Sequence, residues 1–138
     1  ANLPDAEFMR LQSATKGETG IVLERFRADF ALLLRQCRVS VSQAGYNTVL
    51  EVLANRVPAV VVPFAEGGES EQTARAALLE QRGWLQVVAP ELLTPERLST
   101  AIDAAAAIQP ARIAVDLGGA RNSAAIVLER IAVGRAGV

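Results

Sequence analysis

The sequence contains no histidine, and its only cysteine is Cys37. Without histidine the chain lacks the usual general base near neutral pH and the commonest metal ligand, so a base must be a carboxylate or lie elsewhere. One cysteine offers neither a disulfide partner nor metal-ligand spacing, which favours a buried thiol in a reducing compartment such as the cytoplasm. We therefore expect a cytoplasmic protein that folds without a disulfide or a metal.

Strong charge and long apolar runs are also missing. The 14 basic and 15 acidic residues form no basic cluster, which argues against DNA or RNA as a partner. No apolar run approaches the roughly 20 residues of a membrane span, and the acidic start ANLPDAEF lacks the regions of a signal peptide. We expect a soluble chain with no integral membrane segment.

The length of 138 residues suits a single domain over 1–138, with a frayed tail at 134–138. Side-chain periods predict alternating helices and strands, hence an α/β fold: a Rossmann-like, mostly parallel sheet with helices on both faces. The predicted helices are 4–14, 28–37, a short one before 54, 70–81, 95–107 and one after Gly119; the predicted strands are 21–26, 39–42, 59–62 and 84–89.

Three of these helices have a predicted inward face. The faces are Ala74, Ala77 and Leu78 in the helix over 70–81; Leu98, Ala101, Ile102 and Ala105 in the next; and Ala124, Val127, Leu128 and Ile131 in the last.

The stretch 39–64, VSVSQAGYNTVLEVLANRVPAVVVPF, reads as a βαβ unit. Gly45 lies where the chain turns from strand to helix, so free backbone amides at the helix start can face an anion. Ligands bind such sheets at the carboxyl ends of the strands, where the loops 43–47 and 65–70 should lie side by side. The unit therefore predicts a crevice suited to a phosphorylated ligand.

Thr48 and Glu51 have two interpretations. A threonine hydroxyl in the first helical turn can bind phosphate, and a carboxylate nearby can accept bonds from sugar hydroxyls. The same Thr-x-x-Glu spacing is also a capping box, in which Glu51 folds back onto the helix start. The spacing alone favours the cap.

An ordered set of residues in and after this unit resembles a known family. The set is Ser42, Gly45, Thr48, Glu51, Pro58, Val62, Pro63, Phe64 and Gln72. It is similar to the donor-binding, C-terminal domain of MurG-like glycosyltransferases of the GT-B fold, glycosyltransferase family 28. The likeness is specific over 21–83 and looser to Ile131, and it implies a partial GT-B C-terminal domain.

The resemblance implies a role for each matching residue. Thr48 and the amides near Gly45 would hold the diphosphate of a UDP-sugar, and Glu51 would hold the ribose hydroxyls. Glu71 would contact the donor sugar, and the backbone at Phe26 and Arg27 would read uracil. The substrate-binding residues implied are Ser42, Gly45, Thr48, Glu51, Glu71, Gln72, Phe26 and Arg27, with no catalytic residue, metal ligand or cofactor.

The resemblance also implies what lies outside this chain. Members carry an amino-terminal domain that binds the acceptor and supplies the base, and their donor domain begins with two βα units that have no counterpart here. The intact enzyme would transfer a sugar with inversion and without a metal, and the isolated chain is expected to be inactive. An unpaired strand edge would favour a homodimer.

Two alternative functions are left open. One is a nucleotide-sugar hydrolase or epimerase of the same fold, which the lack of histidine disfavours. The other is a non-catalytic interaction domain in which Glu51 only caps a helix. Glu66, Glu69 and Glu71 could bind magnesium, but acids before a helix are ordinary partners of its dipole, and we expect no metal there.

Overall fold

A computed structural model describes residues 3–64, 70–109 and 118–135. The chain divides into two compact units, Ala1–Leu32 and Leu33–Val138.

The first unit contains helix α1, Asp5–Ala14, which begins directly after Pro4, one residue later than predicted. Arg25 lies over the ring of Phe8, 4.2 Å from its centroid, and pairs with Asp5 at 2.7 Å. The prediction of a strand over 21–26 is wrong, because these residues form no ladder. Strand propensity needs a neighbouring strand to satisfy the backbone, and the described part of this unit provides none.

The second unit alternates helices and strands. Its elements are α2 (Phe30–Gln36, which starts within the first unit), β1 (Ser40–Ser42), α3 (Tyr46–Ala54), β2 (Ala59–Val61), α4 (Ser70–Gln81), β3 (Gln86–Val87), a 3-10 turn (Pro90–Leu92), α5 (Pro95–Ala106) and α6 (Gly119–Arg135). The strand predicted over 84–89 is therefore shorter than expected, whereas the helices begin and end close to their predicted positions.

The three strands form one parallel sheet in the order β1-β2-β3. Ser40 pairs with Ala59, and Val60 pairs with Gln86, so a helical crossover joins each strand to its neighbour. All three residues of β2 are buried, as expected for a central strand covered on both faces. The α/β fold class is confirmed.

The core lies on both faces of β2, because consecutive side chains of a strand point to opposite sides. Val61 belongs to a cluster with residues of α2, α3 and α4, including Leu34, Val52 and Leu79. Val60 belongs to a second cluster on the other face. That cluster contains Val88 and the predicted face of α5, namely Leu98, Ala101, Ile102 and Ala105.

The predicted face of α4 is wrong. Ala74, Ala77 and Leu78 are exposed, whereas Ala76 and Leu79 are buried. The observed inward stripe recurs at helical spacing as Gln72, Arg75, Ala76 and Leu79, and its first two members are half-buried. Because Gln72 and Arg75 are polar, the apolar periodicity of α4 predicted a neighbouring face of the helix instead of the buried one.

Helix α6 forms where the sequence predicts it, but its apolar stripe is not covered. Val127, Leu128 and Ile131 are 55%, 67% and 50% exposed, and Ala124 is exposed as well. Periodicity thus located the helix correctly, while its prediction of an inward face is wrong for the described residues.

Helices α3 and α4 end in the same hydrogen-bonded motif. After α4, Gly83 N–H donates to Glu80 O and Trp84 N–H donates to Leu79 O, with Gly83 at φ +69°. After α3, Arg56 takes the equivalent place at φ +54°. This left-handed conformation is ordinary for glycine and unfavourable for arginine.

Candidate functional site

A cleft of about 520 Å³ opens at the carboxyl ends of the strands. It is lined by Val41, Ser42, Gln43, Val62, Pro63, Phe64, Pro90 and Glu91, which come from the ends of β1 and β2 and from the turn after β3. The position agrees with the rule that ligands of parallel sheets bind beyond the strand carboxyl ends. The second loop predicted to frame this crevice, 65–70, lies outside the described residues except for Ser70.

Ser42 closes β1 and lines this cleft. Its Oγ is buried and has no hydrogen-bond partner among the described residues. Buried hydroxyls are nearly always paired, because leaving one unpaired costs about 1–3 kcal/mol. A free hydroxyl beside a cleft is therefore suited to bonding a ligand.

A short loop, 43–45, connects Ser42 to the amino end of α3. Gly45 is the N-cap, at φ −60° and ψ 142°, and no side chain caps the helix. Val49 N–H makes the first helical bond, to Gly45 O, so the three preceding amides have no helical acceptor. These free amides and the positive end of the helix dipole favour an anion.

The capping-box interpretation of Thr48 and Glu51 is wrong. Because α3 begins at Tyr46, Thr48 is the third helical residue and Glu51 the sixth, too far along to cap the start. The Glu51 side chain is exposed and makes no hydrogen bond or ion pair within the described part of the chain. Three residues apart, Thr48 and Glu51 share one face of α3, and both remain available to a ligand.

Helix α4 brings two further predicted residues to the same region. Gln72 Oε1 accepts a hydrogen bond from Phe64 N–H at 3.2 Å, which ties the end of β2 to the start of α4. One position earlier, Glu71 forms an ion pair with Arg75. Gln72 thus supports the cleft wall, while the carboxylate of Glu71 stays largely exposed.

Sequence reasoning missed Arg75. Its Nη1 donates to Ala44 O at 3.0 Å, and its guanidinium lies 5.3 Å from the centroid of the Tyr46 ring. These contacts connect α4 to the loop between β1 and α3. The available signal was its spacing from Gln72 and Leu79, which places it on the buried stripe of α4.

The sequence profile described as "Glycosyltransferase family 28 C-terminal domain" matches residues 4–137, nearly the whole chain. The chain belongs to glycosyltransferase family 28. The family resemblance drawn from the ordered residues between Ser42 and Gln72 is therefore confirmed.

Relatives in this family have similar sequences. The chain is 33% identical over 128 residues to a protein of Rhizobium leguminosarum bv. trifolii, with 87% of this chain and 34% of the relative covered. It is 34% identical over 120 residues to one of Rhodopseudomonas palustris, with 84% and 32% covered. Both are named UDP-N-acetylglucosamine--N-acetylmuramyl-(pentapeptide) pyrophosphoryl-undecaprenol N-acetylglucosamine transferase. This family 28 chain spans about a third of their length.

Phe26 and Arg27 of this family 28 chain lie in the first unit. Phe26 is 83% exposed. Arg27 bonds Asp29 at 2.8 Å and Glu24 at 3.1 Å, and these carboxylates raise its pKa, Asp29 most strongly. Since the Arg27 side chain is occupied, its backbone is the part left to contact a base, and that role stays a prediction.

Two of the acids that precede α4 in the sequence, Glu66 and Glu69, lie outside the described residues. Within 3–64, 70–109 and 118–135, no three or more acidic, cysteine or histidine side chains are grouped so as to hold a metal ion. Over the same residues, no helix has both the length and the apolar character needed to cross a bilayer.

Proposed function

We propose that this chain is the donor-binding part of a family 28 glycosyltransferase and binds a UDP-linked sugar. The observation that carries the proposal is helix α3, whose first amides are uncapped and whose exposed Glu51, on the same face as Thr48, has no partner among the described residues. The names of its relatives describe transfer of N-acetylglucosamine from UDP-N-acetylglucosamine. That donor is the natural first candidate here.

In the proposed complex the diphosphate lies against the first turn of α3. The amides of that turn and the Thr48 hydroxyl bond its oxygens, and the glycine at position 45 leaves room for the close approach. Ser42 Oγ, buried and unpaired beside the cleft, donates a further bond. Neutral donors and a helix dipole can hold the diphosphate without a metal.

The other parts of the donor extend from this anchor. Glu51 accepts bonds from the two ribose hydroxyls, because its carboxylate is exposed and unpaired one helical turn beyond Thr48. Glu71, also exposed, accepts from hydroxyls of the sugar, and Gln72 holds the loop at Phe64.

The proposed reaction is direct displacement at the anomeric carbon with inversion. This chain stabilises the departing nucleoside diphosphate, and a separate amino-terminal domain binds the acceptor and supplies the base. Consequently the 138-residue chain alone should bind donor without turning it over. Detectable sugar transfer or donor hydrolysis by the pure chain would contradict this division of roles.

The test is a titration of the 138-residue chain with UDP and with 2′-deoxy-UDP, followed by nuclear magnetic resonance. We expect Glu51→Gln to weaken UDP binding about tenfold, because the carboxylate accepts from both ribose hydroxyls. The loss should be smaller for 2′-deoxy-UDP, which lacks one of them.

Glu129→Gln is the matched control, since it removes an exposed carboxylate from α6. It should bind both nucleotides like the wild type. If the wild type binds no UDP, the non-catalytic interaction domain becomes the better account. If it binds UDP and Glu51→Gln binds equally well, the ribose role of Glu51 is wrong.

A further inference from the structure

Arg75 is the residue that joins the two helices of the proposed site. Its Nη1 donates to the carbonyl of Ala44, its Nη2 pairs with Glu71, and its guanidinium lies near the face of Tyr46. The Arg75 side chain is only 19% exposed, whereas that of its partner Glu71 is 83% exposed. The largely buried guanidinium of Arg75 thus pairs with the solvent-exposed carboxylate of Glu71.

The bond to Ala44 acts on the loop that makes the anion site. Ala44 is fully buried and directly precedes Gly45, the N-cap of α3. Within α3 the bond from Val49 N–H to Gly45 O restrains the first turn, and no side-chain cap adds to it. The guanidinium of Arg75, bonded to the preceding carbonyl and beside Tyr46, supplies a further restraint from α4.

The ion pair with Glu71 positions the residue proposed to contact the donor sugar. Glu71 and Arg75 are four residues apart on α4, so the pair lies along one face of the helix. An exposed carboxylate on its own samples several rotamers, and fixing one costs side-chain entropy. The ion pair with Arg75 already restricts the rotamers of Glu71 in the free protein, so less side-chain entropy is lost when a ligand binds.

We propose that Arg75 is a positioning residue of the donor site, which holds the Ala44–Gly45 turn for the diphosphate and Glu71 for the donor sugar. The inference rests on the proposed function and assigns this site a residue outside its ligand-contacting set. The planar guanidinium suits the task, because it can bond two acceptors in fixed directions at once.

Two measurements separate the two roles of Arg75. The affinity of the 138-residue chain for UDP depends on the position of the Ala44–Gly45 turn, which binds the diphosphate. The affinity for UDP-N-acetylglucosamine divided by the affinity for UDP depends on Glu71, which contacts the sugar. We expect Arg75→Gln to lower the UDP affinity about three- to tenfold and to lower the ratio as well. Glu71→Gln should lower the ratio alone.

The double variant tests whether Arg75 acts through Glu71. In the Glu71→Gln background, Arg75→Gln should lower the UDP affinity but leave the ratio unchanged, because the residue that sets the ratio has already been removed. Arg97→Gln, which removes an exposed arginine from α5, is the control with the same loss of charge. All variants are compared well below their melting temperatures.

Each result decides a specific point. A ratio that Arg75→Gln leaves unchanged, or that falls further in the double variant, would overturn the action on Glu71. If Arg75→Lys binds both ligands like the wild type, charge alone suffices and the positioning role is wrong. Absence of UDP binding by the wild type would overturn the proposed function and this inference together, whereas normal wild-type binding with normal binding by Arg75→Gln would overturn the inference alone.

Discussion

The glycine that precedes α3 is not required by the backbone of the free protein. Its φ of −60° and ψ of 142° are open to any residue, and among the described residues an added Cβ would meet only Thr48 Oγ1, at 4.0 Å. Neither strain nor crowding therefore explains a glycine at position 45. In the proposed complex the explanation is the ligand, since a methyl group here would stand between the amides and a phosphate.

Gly45→Ala should accordingly separate binding from stability. We expect UDP affinity to fall at least tenfold, because the methyl group blocks the approach of the diphosphate. The free energy of unfolding should stay the same or rise by up to about 1 kcal/mol, since alanine restricts the unfolded chain. Thermal melting and a UDP titration of the same sample measure both.

A second glycine provides the opposite case. Gly83 has φ +69° after α4, so Gly83→Ala should lower the free energy of unfolding by about 1 kcal/mol and leave UDP affinity unchanged. If Gly45→Ala instead destabilised the protein and bound UDP normally, its assignment to the donor site would fail.

Cys37 should be a poorly reactive thiol. Burial raises its pKa, and its Sγ donates to Leu34 O at 3.2 Å, so the reactive thiolate is scarce at neutral pH. We expect iodoacetamide to label the folded chain at pH 8 at least several-fold more slowly than the chain in urea. Since the pKa is raised on folding, its contribution to stability is present at neutral pH and is lost as the pH rises through the raised value. Equal labelling rates would contradict the burial of the thiol.

At the scale of helices and strands, sequence periodicity predicts an inner face correctly where only apolar packing determines its residues. The inner face of α5 was predicted correctly because all its members are apolar. The inner face of α4 was not, because it includes Gln72 and Arg75, whose side chains bond the backbone of Phe64 and Ala44. The strand predicted over 21–26 failed for a related reason, since a β-rich composition cannot create a pairing partner.

The candidate site likewise contains residues that the sequence predicted and one that it did not. Ser42, Thr48 and Glu51 could be predicted because they fall in an ordered motif on one short βαβ unit. Arg75 could not, because its role depends on the contact between α4 and Ala44, residues far apart in sequence. The bland capping-box alternative was excluded only by the position at which α3 begins.

Arg56 offers a way to stabilise the protein. It ends α3 in the left-handed conformation, at φ +54°, where glycine is favoured. Arg56→Gly should raise the free energy of unfolding by about 0.5–1 kcal/mol, after allowance for the greater freedom of glycine in the unfolded chain. Urea denaturation measures this. Arg56→Ala, which keeps the unfavourable geometry, is the control and should give little or no gain.

At the scale of the whole molecule, the two edges of the sheet differ. On β3 the amide of Val87 faces away from β2 and donates to Glu80 Oε1 at 2.8 Å, so a side chain occupies that edge. On β1, Ser40 and Ser42 make the bonds to β2, which directs the backbone groups of Val41 away from β2. The Val41 side chain is 47% exposed, and no strand among the described residues pairs with β1 on that side. A strand edge without a partner favours pairing with another strand.

We therefore expect the 138-residue chain to form a dimer through β1 at high concentration. Light scattering should show a mass that rises from 14.6 kDa toward twice that value. Val41→Lys should shift the equilibrium toward the monomer, because a charge on a strand edge opposes pairing. Leu92→Lys, an equally apolar-to-charged change at a 46% exposed side chain away from β1, is the control. A mass that stays at 14.6 kDa across the concentration range would refute the dimer.

The register of the sheet also bears on how the chain reaches its fold. Each strand pairs with the next one along the sequence, so forming each pair closes only a single helix and its connections. Short closures cost little chain entropy, and folding rates rise as contacts become more local. In the second unit the order β1, α3, β2, α4, β3 therefore keeps the closures of this parallel sheet short, and the side chains of the proposed donor site come together as the crossovers close.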